Sequence, residues 1–124
     1  MSYRIKTEPD RIRLSLFDHV TRADMVAGMA EMEAIERTLG RVPDRIADLS
    51  GLTNSDLDYR LILHVADDRR ERKFPNTFRT AIVAPTQVTY GFARMFQTLM
   101  DNPMIEVRIF ESVADAEAWL DTAP

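Results

Sequence analysis

The spacing of apolar residues along the chain changes repeatedly between two residues and about 3.6 residues. Apolar and polar residues alternate in SYRIKTE (2–8) and again in RIRLSLF (11–17), and this alternation predicts two β-strands. Pro9 and Asp10 stand between the two segments and favour a tight turn. The sequence therefore predicts that the chain begins with a β-hairpin.

Four later segments carry apolar residues at helical spacing. These helices are predicted to begin near Thr21, Ser55, Thr86 and Ser112, because a hydroxyl oxygen can accept a backbone N–H of the first turn. The last turns of the second helix contain the charged run DDRRERK (67–73). This run is interpreted as a solvated helix end whose cations interact favourably with the helix dipole.

Three strands are predicted between these helices, at RIADLS (45–50), FRTAIVAP (78–85) and MIEVRIF (104–110). The nearly continuous apolar run in the second of them is typical of a strand buried on both faces of a parallel sheet. The order β-β-α-β-α-β-α-β-α predicts an α/β fold with a single, mostly parallel sheet. The hairpin makes the first strand antiparallel and places it at the edge. A length of 124 residues predicts one domain, spanning 1–124.

Charge and composition narrow the classes of function. The net charge of −4 is mildly acidic and argues against a nucleic-acid partner. The absence of cysteine and the presence of two histidines exclude thiolate and multi-histidine metal sites, and no cofactor is predicted. The longest uncharged stretch (80–93) is too short to span a bilayer, so no integral membrane association is predicted. The N-terminal segment lacks the apolar core of a signal peptide, so a cytoplasmic location is expected.

Ligands of open α/β sheets bind beyond the carboxyl ends of the parallel strands. In this sequence those ends are expected to carry Asp18, His19, the segment 50–55, the segment 85–90, and the pair 111–112. These loops contain hydroxyl groups, carboxylates and one imidazole, which could hydrogen-bond a ligand. Helix capping alone is the competing interpretation for the hydroxyl residues that precede helices.

A Ser-His-Asp hydrolase is an alternative interpretation of the same loops. Its residues would be Ser50 or Ser55, with His19 and either Asp18 or Asp48. The chain has no G-x-S-x-G motif, and an aspartate adjacent to the histidine is poorly placed to orient it. It also lacks the glycine-rich patterns of nucleotide sites. The sequence therefore favours a protein that is not an enzyme.

Three segments carry a family resemblance. DLSGLTNSDLD (48–58) resembles the part of STAS domains, the anti-sigma-factor-antagonist fold, that runs from the third strand into the second helix. YGFARMF (90–96) and FESVADAEAWL (110–120) resemble the C-terminal pattern of the SpoIIAA-like branch, a STAS/SEC14-like group of small bacterial proteins. The resemblance covers nearly the whole chain and implies the SpoIIAA-like fold. Its connection to SEC14 implies binding of an apolar or lipid-like ligand.

The STAS resemblance also implies a candidate switch. In phosphorylated STAS antagonists an Asp-Ser-Ser-Gly turn begins the second helix, and its first serine is the switch. Ser55 is the nearest counterpart of that serine here, and Ser50 is a poorer one. The sequence departs from the turn pattern because no glycine follows Ser55. The neighbouring aspartates would also repel a phosphate on Ser55. The candidate switch and partner-binding residues are Asp48, Ser50, Asn54, Ser55 and Leu57.

Two functions are expected ahead of the hydrolase. The first is a regulatory module that binds a protein partner through the second helix, which requires an exposed apolar patch there. The second is a binder or carrier of a small apolar or lipid-like ligand, which requires an enclosed apolar pocket. The candidate pocket residues are His19, Tyr90, Phe92, Arg94 and Met95. Pairing of two copies as a homodimer through one helix is compatible with either function.

Overall fold

The computed structural model describes residues 2–123, which form one five-stranded sheet flanked by four helices. The strands are β1 (Tyr3–Thr7), β2 (Arg11–Val20), β3 (Asp44–Ser55), β4 (Phe78–Val83) and β5 (Ile105–Phe110). The helices are α1 (Arg22–Thr38), α2 (Tyr59–Glu71), α3 (Gln87–Met100) and α4 (Val113–Leu120). The strands lie side by side in chain order, with β1 antiparallel to β2 at the edge and the others parallel. The predicted fold class and element order are confirmed.

The sheet separates two apolar layers, because the side chains of each strand alternate between its faces. On one face Ile46 and Ala81 pack against Ala116 of α4. On the other face Leu49 and Ile82 belong to a cluster that also contains side chains of α1 and α3. Every residue of β4 is buried, as its continuous apolar run predicts. Three helices therefore cover one face of the sheet, and α4 covers the other.

Three of the four predicted helix starts are confirmed. Thr21, Thr86 and Ser112 each accept a hydrogen bond from the backbone N–H three residues later. The first two belong to reciprocal capping boxes, in which the third residue of the helix also accepts from the N-cap backbone. These local side-chain contacts satisfy backbone donors that would otherwise lack a partner at the start of a helix.

The predicted start of the second helix is wrong. α2 begins after Asp58, whose carboxylate accepts the N–H of Leu61 at 2.8 Å. Ser55 is instead the last residue of β3. The strand is longer than predicted because it follows β2 as far as the pair of Val20 and Ser55, across two irregularities in the register. Pairing with a neighbouring strand therefore outweighs the tendency of this serine to cap a helix.

A buried arginine fastens α4 to the sheet. The guanidinium of Arg79, on β4, donates to the carbonyl oxygens of Trp119 and Leu120 at 3.1 and 2.8 Å. It also pairs with the carboxylate of Asp44 at 3.0 Å. Arg79 and Arg108 both lie over the ring of Trp119, at 5.3 and 5.1 Å from its centroid. Arg79 thus satisfies carbonyls that the last turn of α4 leaves free.

Replacing this arginine tests that role. Arg79→Met is expected to lower the free energy of unfolding by about 2–3 kcal/mol, because Asp44 and the two carbonyls lose their donor. Urea unfolding of both proteins measures the change. Arg108→Met is the matched control, since this side chain is 57% exposed and should contribute less than about 1 kcal/mol. A loss for Arg79→Met no greater than that of the control would contradict the role assigned to Arg79.

Candidate functional site

An apolar cavity of about 150 Å³, partly open to solvent, lies between α1, α2, α3 and the sheet. α1 packs against β1, whereas α2 packs mainly against α3, so the middle of the sheet is not filled by either helix. The small side chains of Ala47 and Ala93 line this space. Engineered protein cavities of similar volume bind benzene. The larger apolar lining residues include Met25, Met29, Met32, Leu49, Leu57, Ile62, Ile82, Phe92 and Phe96.

Three methionines of α1 form one wall of the cavity. Met25, Met29 and Met32 follow one another at helical spacing and therefore share a face of the helix. Methionine side chains are unbranched and polarizable, and they adapt to irregular shapes. This wall can therefore accommodate apolar molecules of more than one shape.

A cluster of four charged residues joins the elements around the cavity. Glu36 of α1, whose side chain is 2% exposed, contacts Arg45 of β3 and both Arg69 and Arg72 near the end of α2. Arg69 Nη1 donates to both carboxylate oxygens at 3.0 Å, and Arg72 Nη1 donates to one of them at 3.2 Å. Arg45 Nη2 also donates to the Glu36 carboxylate. We call these four residues the arginine cluster; Arg45 and Arg69 also line the cavity.

The arginine cluster carries more positive than negative charge. Burial alone would raise the pKa of Glu36, but the charges of Arg45, Arg69 and Arg72 outweigh burial and hold that pKa below its usual value. Burial, together with repulsion from Arg69, lowers the pKa of Arg45 to about 9. Arg45 therefore remains charged at neutral pH but lies in an environment that disfavours its charge. Asp68, 3.9 Å from Arg72, offsets part of the excess.

The lowered pKa of Glu36 predicts how stability depends on pH. The unfolded chain binds a proton at Glu36 near pH 4.5, whereas the folded chain does so only at lower pH, so stability rises with pH across this window. The contribution of Glu36 is thus complete above this pH and is lost as the pH falls through the folded-state pKa. Urea unfolding of the wild type and Glu36→Gln between pH ~3 and ~7 measures it. The difference between them should shrink at the acid end; a constant difference would contradict the lowered pKa.

A buried asparagine holds the end of α2 in place. Asn102 Nδ2 donates to the backbone carbonyls of Arg69 and Arg72 at 2.8 and 3.2 Å. These carbonyls belong to the last turn and the C-cap of α2 and would otherwise lack donors. The interpretation of 67–73 as a solvated helix end is therefore wrong for Arg69, which is buried, and for the half-buried Arg72. Both side chains turn inward because Glu36 supplies a buried carboxylate.

The candidate switch residues lie along the carboxyl end of β3. Asp48 accepts the backbone N–H of Ser50 at 2.9 Å, and Asn54 accepts that of Ser55 at 2.8 Å. Both aspartate and asparagine therefore make short-range turn contacts. Leu57 is the member of this group that lines the cavity. Ser55 is the last residue of β3 and does not begin α2, in contrast to the switch serine of the STAS turn.

The candidate pocket residues are dispersed. Phe92 lines the cavity. Tyr90 and Arg94 are exposed on α3, where Arg94 donates to Gln97 at 2.6 Å, and Met95 is half-buried outside the cavity lining. His19 is exposed at the end of β2, and its Nε2 lies 3.2 Å from the carboxylate of Asp56. The structure therefore brings one of the five residues to the cavity.

The arginine cluster was missed by the sequence analysis, although the sequence carries a signal for it. Glu36 lies four residues after Met32 and so falls on the inward face of α1. Arg45 alternates with apolar residues on the same face of β3 as Leu49, and Arg69 continues the buried face of α2. Charged residues at inward positions of three elements, with both signs present, indicate a buried ion-pair cluster.

No metal-binding group of three or more histidine, aspartate or glutamate residues occurs within 2–123. Over the same residues, no helix has both the length and the apolar character needed to cross a membrane.

Among the comparisons with known proteins, the search of solved structures found a protein of similar fold. Scans against protein-family models and curated proteins found no match. A solved structure of an uncharacterised protein from the DUF3478 family, from Shewanella loihica PV-4 and described as having a SpoIIAA-like fold, is similar over 95% of this chain and 91% of that one. The TM-score is 0.63 and the sequence identity is 18%, a level that shows a shared fold and not a shared function. The chain therefore has a SpoIIAA-like fold, as its sequence resemblance implied.

Proposed function

We propose that this protein binds a small apolar ligand in the cavity between α1, α2, α3 and the sheet. The observation that carries the proposal is the apolar cavity of about 150 Å³, lined from all three helices and from the sheet. An apolar molecule gains free energy when its surface leaves water for such a space. Ligand pockets in proteins are typically concave, mostly apolar and supplied with a few polar groups, and this cavity fits that description.

The geometry supports this function better than the partner-binding hypothesis. That hypothesis requires an exposed apolar patch on α2. The large apolar side chains Leu61 and Ile62 are buried, and Tyr59, 55% exposed, is the one large apolar residue among the described part of α2 that is mainly in solvent. Single exposed apolar residues are ordinary on protein surfaces. Regulatory partner binding and homodimer formation remain predictions of the sequence.

A binding role is proposed in preference to a catalytic one. The hydrolase hypothesis requires His19 to lie within hydrogen-bond reach of a serine hydroxyl. The neighbour of its Nε2 is the Asp56 carboxylate, and both side chains are about half exposed. That pair also ties the segment before α2 to the start of α1, because Asp56 accepts the backbone N–H of Arg22 at 3.3 Å. A role in holding this loop accounts for the contact.

A titration with octanol, followed in amide correlation NMR spectra, tests the proposal. Saturable shifts are expected at the amides of Gly28, Ala47 and Leu49, which belong to residues lining the cavity. The amides of Ala114 and Ala118 on α4 serve as an internal control, because this helix covers the opposite face of the sheet. Shifts that do not saturate, or that are as large on α4 as around the cavity, would contradict the proposal.

A further inference from the structure

We infer that the ligand of this cavity is a small amphipathic monoanion, a carboxylate with a short apolar body, whose carboxylate lies against Arg45 and Arg69. This inference rests on the proposed function and adds the chemical class of the ligand. The apolar body would occupy the space beside the methionines of α1. The charged end would complete the hydrogen bonding of the arginine cluster.

The first observation is a buried donor without an acceptor. Arg45 is 6% exposed and lines the cavity, and its Nε is buried with no hydrogen-bond partner in the chain from 2 to 123. Its Nη2 is already engaged with Glu36, and the ring of Phe78 lies 5.8 Å from its guanidinium carbon. Buried donors in folded proteins are nearly always paired, so an unpaired one indicates a missing acceptor. A ligand carboxylate is the acceptor that binds a guanidinium most strongly.

The second observation is the charge of the cluster. Three guanidinium groups surround the single carboxylate of Glu36. Asp68 lies near Arg72 and supplies a second negative charge from a partly exposed position. The remaining excess is one positive charge, which a monoanion neutralises and a dianion would overcompensate. Burial is the main cause of the lowered pKa of Arg45, and the nearby positive charge of Arg69 lowers it further.

The positions of the acidic residues around the cavity predict the orientation of the ligand. Two aspartates line the cavity: Asp24, which is held in the capping box with Thr21 at the start of α1, and Asp68, whose charge is offset by Arg72 at 3.9 Å. Asp24 and Glu36 are twelve positions apart on α1, a distance of about 18 Å along the helix axis. The end of the cavity near Asp24 repels an anion, and the end near the arginine cluster attracts one. An amphipathic anion is therefore oriented with its carboxylate toward Arg45.

Comparing octanoate with octanol at neutral pH tests this inference, because the two share an apolar chain and differ in charge. The wild type is expected to bind octanoate about 10- to 100-fold more tightly than octanol, the range of one or two charge-assisted hydrogen bonds. Arg45→Met should lose most of this preference, so that its affinities for octanoate and octanol become similar within about threefold. Arg60→Met, which removes an exposed arginine from α2, is the control and should behave as the wild type.

A direct readout needs no variant and so does not depend on whether Arg45→Met folds. The Nε–Hε resonance of Arg45 in the wild type should move saturably with octanoate and remain unchanged with octanol. Equal affinities for octanol and octanoate, or an Arg45 resonance that octanoate leaves unchanged, would overturn the inference. Neither result would contradict the proposal that the cavity binds an apolar ligand. Failure of both molecules to bind would overturn the proposed function itself. An octanoate preference that persists in Arg45→Met would overturn the assignment of Arg45.

Discussion

Glu36→Gln is expected to lower the free energy of unfolding by about 3–5 kcal/mol, the largest effect of any single substitution considered for this protein. The substitution removes the carboxylate that holds Arg45, Arg69 and Arg72 together. Two of these guanidinium groups, those of Arg45 and Arg69, are almost completely buried. Without the negative charge they would repel one another inside the protein, and the amide offers them one acceptor oxygen where the carboxylate offered two.

Urea unfolding at neutral pH measures this effect. Glu33→Gln is the matched control, because Glu33 lies on the same helix and pairs with Arg37 across a single turn, where Arg37 is exposed. Such pairs contribute about 0.3–0.5 kcal/mol. A loss for Glu36→Gln below about 1 kcal/mol would show that the arginine cluster is not held by Glu36.

The arginine cluster also indicates why charged side chains are buried at this place in the fold. Buried ion pairs stabilise a fold weakly, because removing the charges from water costs nearly as much as their attraction returns. A cluster with an excess of one sign is less favourable still. Stability alone therefore does not account for three arginines around one glutamate, whereas the anionic ligand that we propose at Arg45 would account for them.

Ala47→Leu is expected to weaken octanol binding by about tenfold or more. Ala47 lies on β3 and lines the cavity, so three additional carbon atoms would occupy the space proposed for the ligand. Filling an apolar cavity commonly leaves stability unchanged or raises it slightly. Loss of binding without loss of stability is the combination that distinguishes an occupied cavity from a damaged fold.

Ala30→Leu is the control for this substitution. Ala30 is exposed on α1, and it does not belong to the cavity lining. Its replacement adds the same three carbon atoms at the surface and should leave octanol affinity unchanged within about twofold. Equal octanol affinities of Ala47→Leu and the wild type, measured by the same amide titration, would place the binding site elsewhere.

The element order could be predicted because it depends on local patterns. Residues close together in sequence determine the alternation in β1 and β2 and the helical spacing in α1. They also determine which threonines cap α1 and α3. The end of β3 could not be predicted in this way. Its length depends on pairing with β2 up to Val20, and a sequence read segment by segment does not show which strand will lie beside it.

The cavity could be predicted only in part. Phe92 and Leu57 were identified as site residues and line it, but they were assigned to different sites. The cavity itself arises from the gap that α1 and α2 leave over the sheet, which depends on how the helices pack. The arginine cluster likewise joins residues far apart in sequence, since Glu36 and Arg69 are 33 positions apart. Their inward positions could be identified from the sequence, but their contact could not.

The most direct test of the apolar cavity is an octanol titration followed on the labelled methyl groups of the methionines. Met25, Met29 and Met32 line the cavity, whereas Met95 and Met100 do not and provide controls within the same spectrum. We predict saturable shifts of the three α1 methyl groups, with nuclear Overhauser contacts to the alkyl chain, and unchanged resonances for the two controls. Shifts at Met95 or Met100 without shifts in α1, or no saturable shift at all, would contradict binding in this cavity.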